Sequence, residues 1–305
     1  MTGRSTATFR PQRYDLYDLN WRMTVREAIQ YIKDELKDIY ELSETANIAD
    51  WLIEHLTKIP RVERINLKEE QLKPRQISQL HEWLDRLKRH EPVQYVLNES
   101  WFYGLKFYVD KNVLIPRPET EEMVDWVISN QKFPFDQLKI LDIGTGSGCI
   151  AISLKRKFRK SESWACDASE KALQVARKNA EMLGADIRFL KLDILDEKQW
   201  EQLPIFDLVI SNPPYVPEKD QGAMSPNILK YEPPSALFVS NNDPLLFYRK
   251  ITDFGDKHLN DNGFIYVEIH ERLGKDIMQL FSSQGYRCEL KKDMQGKDRM
   301  VRASR

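Results

Sequence analysis

From residue 139 onward, short apolar strands alternate with amphipathic helices. The predicted strands cover residues 139–143, 164–167, 187–192, 206–211, 264–269, 286–292 and 299–303. Such alternation is typical of a mostly parallel sheet, because each intervening helix has to bury its apolar side against one face of that sheet. We therefore predict an α/β fold with a seven-stranded, mostly parallel sheet in residues 119–305.

Two further regions precede this domain. Residues 1–22 are polar and aperiodic, so we expect a flexible extension. Residues 23–92 carry apolar residues every three or four positions, which predicts a small helical bundle. Thr24 and Glu27 have the spacing of a capping box at its first helix. Because basic and acidic residues number 16 each over residues 1–92, we expect a bundle that recognises a protein substrate and does not bind DNA.

Residues 93–118 lack the helical spacing of the preceding region. Residues 93–96 and 101–109 are aromatic and β-branched, and Asn98 and Gly104 are turn formers. We predict a β-hairpin linker here, with residues 93–96 extended.

The overall composition excludes several classes of protein. Lys and Arg number 46 against 47 Asp and Glu, a net charge of −1, which argues against a globally basic nucleic-acid binder. No apolar run approaches the roughly 18–20 residues of a membrane span. Three widely spaced cysteines and five histidines show neither disulfide nor metal-ligand spacing. We expect a cytoplasmic monomer with reduced thiols and no bound metal.

The segment ILDIGTGSG at residues 140–148 joins the first strand of the sheet to a helix. Glycines allow a tight turn and close approach to a ligand, and the helix start presents unpaired N–H groups. By itself, such a turn can serve a dinucleotide, a nucleoside or no ligand. The GxGxG spacing and the preceding Asp142 point away from a pyrophosphate. The candidate binding residues are Gly144, Thr145, Gly146, Ser147 and Gly148.

Acidic residues end the next two predicted strands. Asp167 is placed to accept hydrogen bonds from both hydroxyls of a ribose, although it could instead cap the following helix, a role that Ser169 can take. Asp193 and Ile194 suit the edge and face of a purine, although Ile194 could equally be a core residue. Together these residues favour a nucleoside-containing ligand.

The fourth strand ends in the sequence NPPY at residues 212–215. Prolines have no N–H and cannot continue the ladder, so their carbonyls are free to face the crevice at the strand ends. Asn212 and the Pro213 carbonyl can together accept both N–H bonds of a planar amide or amino group. Pro214 would lie beside them, and Tyr215 could stack on the plane of the bound group. The alternative is a rigid proline turn with Tyr215 as surface cover.

These motifs resemble those of the class I S-adenosylmethionine-dependent methyltransferases, in their amino-methylating (N/D)PPY branch. The segment VLIPRPETEE at residues 113–122, together with NPPY, resembles more narrowly the release factor glutamine methyltransferases (PrmC/HemK). The resemblance covers about residues 23–305. Two positions depart from the pattern: Asn98 precedes Glu99 where glycine is usual, and His270 stands where glycine is common.

The resemblance implies a Rossmann-like domain that uses S-adenosylmethionine, leaves S-adenosylhomocysteine and needs no metal. It also implies methyl transfer to the glutamine amide nitrogen (N5) in the Gly-Gly-Gln motif of class 1 peptide chain release factors. Residues 144–148, Asp167, Asp193, Ile194 and Asn212 would bind the cofactor. Asn212 and Pro213 would be catalytic, and residues 212–215 would bind substrate.

Arg117 and Glu119 lie close to the motifs, but Glu119 also suits the start of a helix, where a carboxylate favours the dipole. We assign no general base. The alternative function is N6-adenine methylation of nucleic acid, because NPPY can also bind an exocyclic amino group; it would require a flipped base and a basic groove.

Overall fold

The computed structural model describes residues 22–129 and 137–305. Except for Arg22, the extension predicted at residues 1–22 lies outside the described residues. The chain divides between His90 and Glu91 into two compact units. None of the described helices is both long and apolar enough to cross a membrane.

The first unit is helical, as predicted. Its helices are α1 (Val25–Leu36), α2 (Leu42–Thr57), α3 (Arg61–Arg64) and α4 (Pro74–Lys88). The capping box is confirmed, since the Glu27 N–H donates to Thr24 Oγ1 at 3.2 Å and the Thr24 N–H donates to Glu27 Oε2 at 2.8 Å. Helices α1, α2 and α4 pack on one another through buried aliphatic side chains: Ala28, Ile32, Leu36, Leu52, Leu80 and Leu87.

The second unit begins with helix α5 (Val93–Leu97) and an antiparallel hairpin of β1 (Ser100–Phe102) and β2 (Leu105–Phe107). The extended structure predicted for residues 93–96 is therefore wrong. Tyr95 is buried, and its hydroxyl donates to the Val113 carbonyl at 2.6 Å, a tertiary contact that outweighs the β propensity of the segment. Asn98, at φ 53°, ends the helix in the left-handed conformation expected of a glycine.

The rest of the second unit contains helices and strands in the following order: α6 (Pro118–Ile128), β3 (Lys139–Ile143), α7 (Cys149–Lys157), β4 (Glu162–Asp167), α8 (Glu170–Leu183), β5 (Arg188–Lys191), β6 (Phe206–Ser211), β7 (Val216–Pro217), α9 (Pro226–Tyr231), α10 (Pro234–Leu237), β8 (Phe238–Val239), α11 (Leu246–His258), β9 (Leu259–Glu268), α12 (Gly274–Ser283), β10 (Arg287–Lys292) and β11 (Asp298–Ser304).

Seven of these strands form one sheet in the order β10-β11-β9-β6-β3-β4-β5. The neighbouring pairs from β9 to β5 are parallel, and β11 runs antiparallel to both β9 and β10. The predicted α/β class, strand number and mostly parallel sheet are confirmed.

Alternate side chains of the central strands enter two separate cores. In β9, Ile265 and Val267 join a cluster with residues of α11 and α12, whereas Phe264 and Tyr266 join a cluster with residues of α6 and α7. Helices therefore cover both faces of the sheet, as the period of two in strands requires.

The order of the strands creates a crevice beside β3. The chain runs from β3 outward to β4 and β5, then returns to β6 on the other side of β3. Loops leaving the carboxyl ends of β3 and β6 therefore diverge, and ligands of open α/β sheets bind at such a switch point.

Candidate active site

A cavity of about 430 Å³ lies at the carboxyl ends of β3, β4, β5 and β6. Ten of the twelve predicted site residues line it: Gly144, Thr145, Gly146, Ser147, Asp167, Asp193, Ile194, Asn212, Pro213 and Pro214. In the part of the chain that the structure describes, Gly148 and Tyr215 are not among the lining residues. The fold thus brings the glycine turn and the NPPY turn to one cavity.

The glycines of the turn differ in what surrounds them. Gly144 and Gly146 have φ of 72° and 54°, and a Cβ at either would meet no heavy atom within 4 Å, so their backbone borders open space. Gly148 has φ 81°, but a Cβ there would lie 3.1 Å from Ile152 and 3.2 Å from the Ala176 side chain. Gly148 therefore serves the packing of α7 on α8, a structural need different from the predicted cofactor contact.

Asp142, in β3, holds the glycine turn in place through its side chain. Its carboxylate is buried, and Oδ2 accepts hydrogen bonds from Thr145 Oγ1 at 2.6 Å and from the Ala151 N–H at 3.2 Å. Burial raises the pKa of Asp142 to about 7, against the lowering by those two hydrogen bonds. The turn is thereby fixed to the strand that precedes it and to the helix that follows.

Asp167 ends β4 and faces the turn. Its Oδ2 accepts a hydrogen bond from the Gly146 N–H, and its Oδ1 accepts one from the Ser169 N–H, both at 2.9 Å. Ser169 caps α8 by accepting from the Ala172 N–H, so Asp167 is not needed as the cap. Burial raises the pKa of Asp167, and the two N–H groups oppose that shift. Each oxygen keeps a lone pair for a further donor.

Asp193 and Ile194 line the cavity just beyond β5. Asp193 Oδ1 accepts a hydrogen bond from the Leu195 N–H at 2.9 Å, which holds the carboxylate in place. Ile194 is buried and also packs in the core cluster shared with α11. It is therefore both a core residue and part of the cavity wall.

Asn212 follows directly after β6. The preceding residue, Ser211, donates from Oγ to the Ile143 carbonyl at 2.8 Å, which joins the ends of β6 and β3. Asn212 Nδ2 donates to Thr120 Oγ1 at 3.1 Å. Pro213 is buried and Pro214 half-buried, and both line the cavity.

Tyr215 turns away toward a buried carboxylate. Its hydroxyl donates to Glu268 Oε1 at 3.0 Å, and its ring meets His270 edge-on. Glu268, the last residue of β9, is 1% exposed, and its Oε2 accepts from Thr120 Oγ1 at 2.6 Å. Burial raises the pKa of Glu268, against the lowering by the hydroxyls of Thr120 and Tyr215 and by the charge of Arg299.

Sequence reasoning missed Thr120 and Glu268. The pattern contained one sign of them, the acidic Glu268 directly after the apolar residues 264–267 in the second half of β9, where a solvated loop position is the usual explanation. The contact with Thr120 joins positions 148 residues apart, so only the assembled fold shows it.

Arg117 and Glu119 have different surroundings. Arg117 lines the cavity, and its Nη2 lies 2.7 Å from both carboxylate oxygens of Glu232, a residue whose side chain is 1% exposed. Glu119 lies in the first turn of α6, where its charge favours the helix dipole, and is not among the cavity-lining residues that the structure describes.

In residues 22–129 and 137–305, no group of three or more His, Cys, Asp or Glu side chains is arranged to hold a metal ion. Cys149, Cys166 and Cys288 are free thiols in the structure. The chemically distinctive groups of the cavity are thus carboxylates, open backbone and the Asn212 amide.

Comparisons with known proteins identify the family. Residues 27–97 match the family model of the PrmC N-terminal domain, and residues 121–231 match that of the methyltransferase small domain. The catalytic domain of hMettl16 in complex with MAT2A 3′UTR hairpin 6 has a TM-score of 0.50 at 16% identity, covering 66% of this chain and 76% of that one. At such low identity, this likeness shows the fold alone.

Sequence relatives are much closer. The release factor glutamine methyltransferase of Flavobacterium psychrophilum is 43% identical over 272 residues, which cover 88% of this chain and 95% of the relative. The release factor glutamine methyltransferase of Bacteroides thetaiotaomicron is 38% identical over 276 residues, covering 90% and 98%. With both of its parts matched and almost the full length of such relatives spanned, the chain belongs to the release factor glutamine methyltransferase family.

Proposed function

We propose that this protein transfers the methyl group of S-adenosylmethionine to the side-chain amide nitrogen (N5) of the glutamine in the Gly-Gly-Gln motif of class 1 peptide chain release factors. The main support is that the glycine turn with Asp167 and the Asn212–Pro213 pair line one cavity. The names of the relatives favour a release factor over an adenine base as the acceptor.

The residues of the cavity fit the cofactor. Its volume of about 430 Å³ falls within the usual range of small-molecule sites. Gly144 and Gly146 leave the backbone open to close approach, and the Asp167 carboxylate offers acceptors for ribose hydroxyls. Asp193 and the apolar Ile194 suit a purine. When bound, the cofactor supplies an electrophilic methyl group on a sulfonium.

The protein's own contribution concerns the amide nitrogen, which is a poor nucleophile because its lone pair is delocalised into the carbonyl. Asn212 Oδ1 and the Pro213 carbonyl accept the two N–H bonds of the substrate amide and favour the positive charge that develops on nitrogen. Positioning of the nitrogen supplies much of the remaining acceleration. The methylated, cationic amide is acidic enough to lose its proton without a dedicated base.

The substrate-side residues have unequal roles in this proposal. Pro214 forms part of the cavity wall beside Asn212 and Pro213. Tyr215 was expected to stack on the substrate amide, but its hydroxyl is bound to Glu268 and its ring does not line the cavity in the described chain. We therefore assign Tyr215 to bracing the turn. The helical unit matched by the PrmC N-terminal domain is proposed to recognise the release factor.

The test is methyl transfer from labelled S-adenosylmethionine to a purified, unmethylated release factor, with the product mapped by mass spectrometry. We expect one methyl group, on the glutamine of Gly-Gly-Gln. A parallel reaction with duplex DNA tests the adenine alternative. Transfer to DNA but not to the release factor, or to a different residue of the release factor, contradicts the proposal.

A further inference from the structure

A chain of side-chain hydrogen bonds joins the Asn212 amide to a buried carboxylate. Asn212 Nδ2 donates to Thr120 Oγ1 at 3.1 Å, and Thr120 Oγ1 donates to Glu268 Oε2 at 2.6 Å. Tyr215 donates its hydroxyl to Glu268 Oε1 at 3.0 Å. We call Asn212, Thr120, Glu268 and Tyr215 the amide relay.

The directions of these hydrogen bonds follow from the chemistry of the groups. While Glu268 is ionised, its carboxylate only accepts, so the hydroxyls of Thr120 and Tyr215 each donate their single hydrogen to it. Thr120 then has only lone pairs left to offer Asn212. The Asn212 amide must therefore turn its NH₂ toward Thr120, which directs Oδ1 away from Thr120. In the relay, the orientation of the amide follows from the carboxylate through the Thr120 hydroxyl.

Burial of the Glu268 carboxylate costs free energy, so the groups that bind it indicate why it lies there. The residue is 1% exposed, and a buried carboxylate loses far more hydration than a hydroxyl or an amide does. Arg299, whose charge acts on Glu268, is bound through Nε to Asp293 at 3.0 Å. The two oxygens of Glu268 instead accept from side chains of two cavity-bordering segments, the start of α6 and the NPPY turn.

We propose that Glu268 and Thr120 are positioning residues, which hold the Asn212 amide with Oδ1 available to accept an N–H bond of the substrate amide. The inference rests on the proposed function and deepens it. An Asn212 amide turned over would present its own NH₂ to the NH₂ of the substrate, and one of the two acceptors would be lost.

Substitution of Thr120 tests the relay. Thr120→Val keeps the shape and removes the hydroxyl. We expect kcat to fall about 10- to 100-fold, which is less than the roughly 10²- to 10³-fold cost of losing a preorganised hydrogen-bonding group itself. Thr120→Ser restores the hydroxyl and should return kcat to within about threefold of the wild type. The KM for the release factor and the Kd for S-adenosylmethionine should change little, because the relay orients the amide in the transition state.

Glu268→Gln is the second variant. Its NH₂ can donate to one of the two hydroxyls, which releases that hydroxyl's hydrogen. Where the released hydrogen belongs to Thr120, it can donate to Asn212 Oδ1 and turn the amide over. We expect a lower kcat here too, with a folded protein that still binds the cofactor.

Tyr248→Phe is the matched control. Tyr248 is buried and donates to the backbone carbonyl of Glu268 at 3.1 Å, so its loss removes a hydrogen bond to the same residue and leaves the side-chain hydrogen bonds of the relay in place. We expect a lower melting temperature and a kcat near that of the wild type. A fall in kcat equal to that of Thr120→Val would mean general loosening and would overturn the inference.

A readout independent of activity is the side-chain NH₂ of Asn212 in ¹⁵N NMR spectra. The hydrogen bond to Thr120 should slow its exchange with solvent in the wild type and in Thr120→Ser, and Thr120→Val should remove that protection. If Thr120→Val changes neither kcat nor the exchange of the Asn212 NH₂ with solvent, the positioning role of Thr120 and Glu268 is overturned and the proposed function is not. A wild-type enzyme that methylates no release factor instead overturns the proposed function, and the NMR comparison still decides whether the relay orients Asn212.

Discussion

Arg117 binds both carboxylate oxygens of Glu232 through Nη2 at 2.7 Å, across 115 positions of the sequence. Arg117 itself lines the cavity, and Glu232 is followed at once by Pro233, another lining residue. This largely buried ion pair therefore fastens the segment before α6 to the segment that enters α10. Both segments belong to the cavity wall, so the pair should control its stability.

Arg117→Met should destabilise the protein in a pH-dependent way. Burial raises the pKa of Glu232 and the Arg117 charge lowers it, so removal of Arg117 leaves burial to raise the pKa further. Below the unfolded pKa of about 4.3, the Glu232 carboxyl is protonated in both the folded and the unfolded variant, so its ionisation does not lower the free energy of unfolding. As the pH rises through the folded pKa, the free energy of unfolding of the variant should fall below that of the wild type by an amount that grows toward about 3–5 kcal/mol, the cost of an unpaired buried charge.

Urea unfolding of wild type and variant at several pH values between about 4 and 7 measures this difference. The double variant Arg117→Met/Glu232→Gln removes the titrating group, so the growth of the loss with pH should disappear. A loss of equal size at every pH would show that the ion pair matters through packing and not through charge.

Asn212→Ala should affect catalysis far more than cofactor binding. The change removes one acceptor for the substrate amide and leaves the glycine turn and Asp167 in place. We expect kcat to fall about 10²- to 10³-fold, by analogy with loss of one oxyanion-hole donor, and cofactor affinity to change by roughly severalfold. Single-turnover methylation with both substrates saturating is the measurement, and near-wild-type rates would remove Asn212 from the amide clamp.

Asp167→Ala should weaken cofactor binding. The variant loses the acceptor proposed for the ribose hydroxyls and also the bond from the Gly146 N–H that holds the turn. Hydrogen bonds to a charged group contribute about 1.5–3 kcal/mol each. Titration calorimetry with S-adenosylmethionine measures the loss, and Asp167→Asn, which keeps a neutral acceptor, should lose less. Unchanged affinity in a folded Asp167→Ala protein would exclude this residue from the site.

Two glycine substitutions separate packing from ligand contact. Gly144→Ala and Gly148→Ala both place a side chain at a positive φ, which costs about 1–2 kcal/mol. Only Gly148→Ala also crowds Ile152 and Ala176, so its melting temperature should be the lower of the two. Gly144→Ala points into the open cavity and should weaken cofactor binding more. Equal melting temperatures would contradict the packing role of Gly148.

The helical unit is expected to act on the protein substrate. A truncated chain that begins at Glu91 keeps every cavity-lining residue. If it remains folded by circular dichroism, it should bind S-adenosylmethionine with near-normal affinity but methylate an intact release factor slowly. A short Gly-Gly-Gln peptide serves as the control acceptor, for which both chains should be similar. Equal rates of both chains on the intact factor would refute the recognition role.

The middle of the sheet could be predicted because β3, β6 and the second half of β9 are mostly apolar, a pattern that burial on both faces explains. The segment at residues 93–97 could not be, because Val93, Tyr95 and Val96 favour strands locally while Tyr95 is held in a helix by the distant Val113 carbonyl. Pro92 before the segment and Asn98 after it were the available signs of a short helix.

The grouping of the candidate site residues was predictable where these residues follow the ends of consecutive strands. Residues 144–147, Asp167, Asp193 and Asn212 meet because parallel strands end at one edge of the sheet. The orientation of Tyr215 was not predictable, because its partner Glu268 lies 53 positions away. Contacts of this kind depend on which side chains the finished fold brings together, and local spacing carries no information about them.

The pairing of β3 with β6 has a consequence for synthesis on the ribosome. β3 carries the glycine turn, but one of its hydrogen-bonding edges is filled only by β6, which arrives after β4 and β5 have been made. Until residue 211 has left the exit tunnel, a nascent chain exposes the unpaired backbone N–H and C=O groups of that edge, which can pair with other unfinished strands. Slow translation between residues 143 and 206 should therefore lower the yield of folded enzyme through aggregation, even though no residue of the mature cavity is altered.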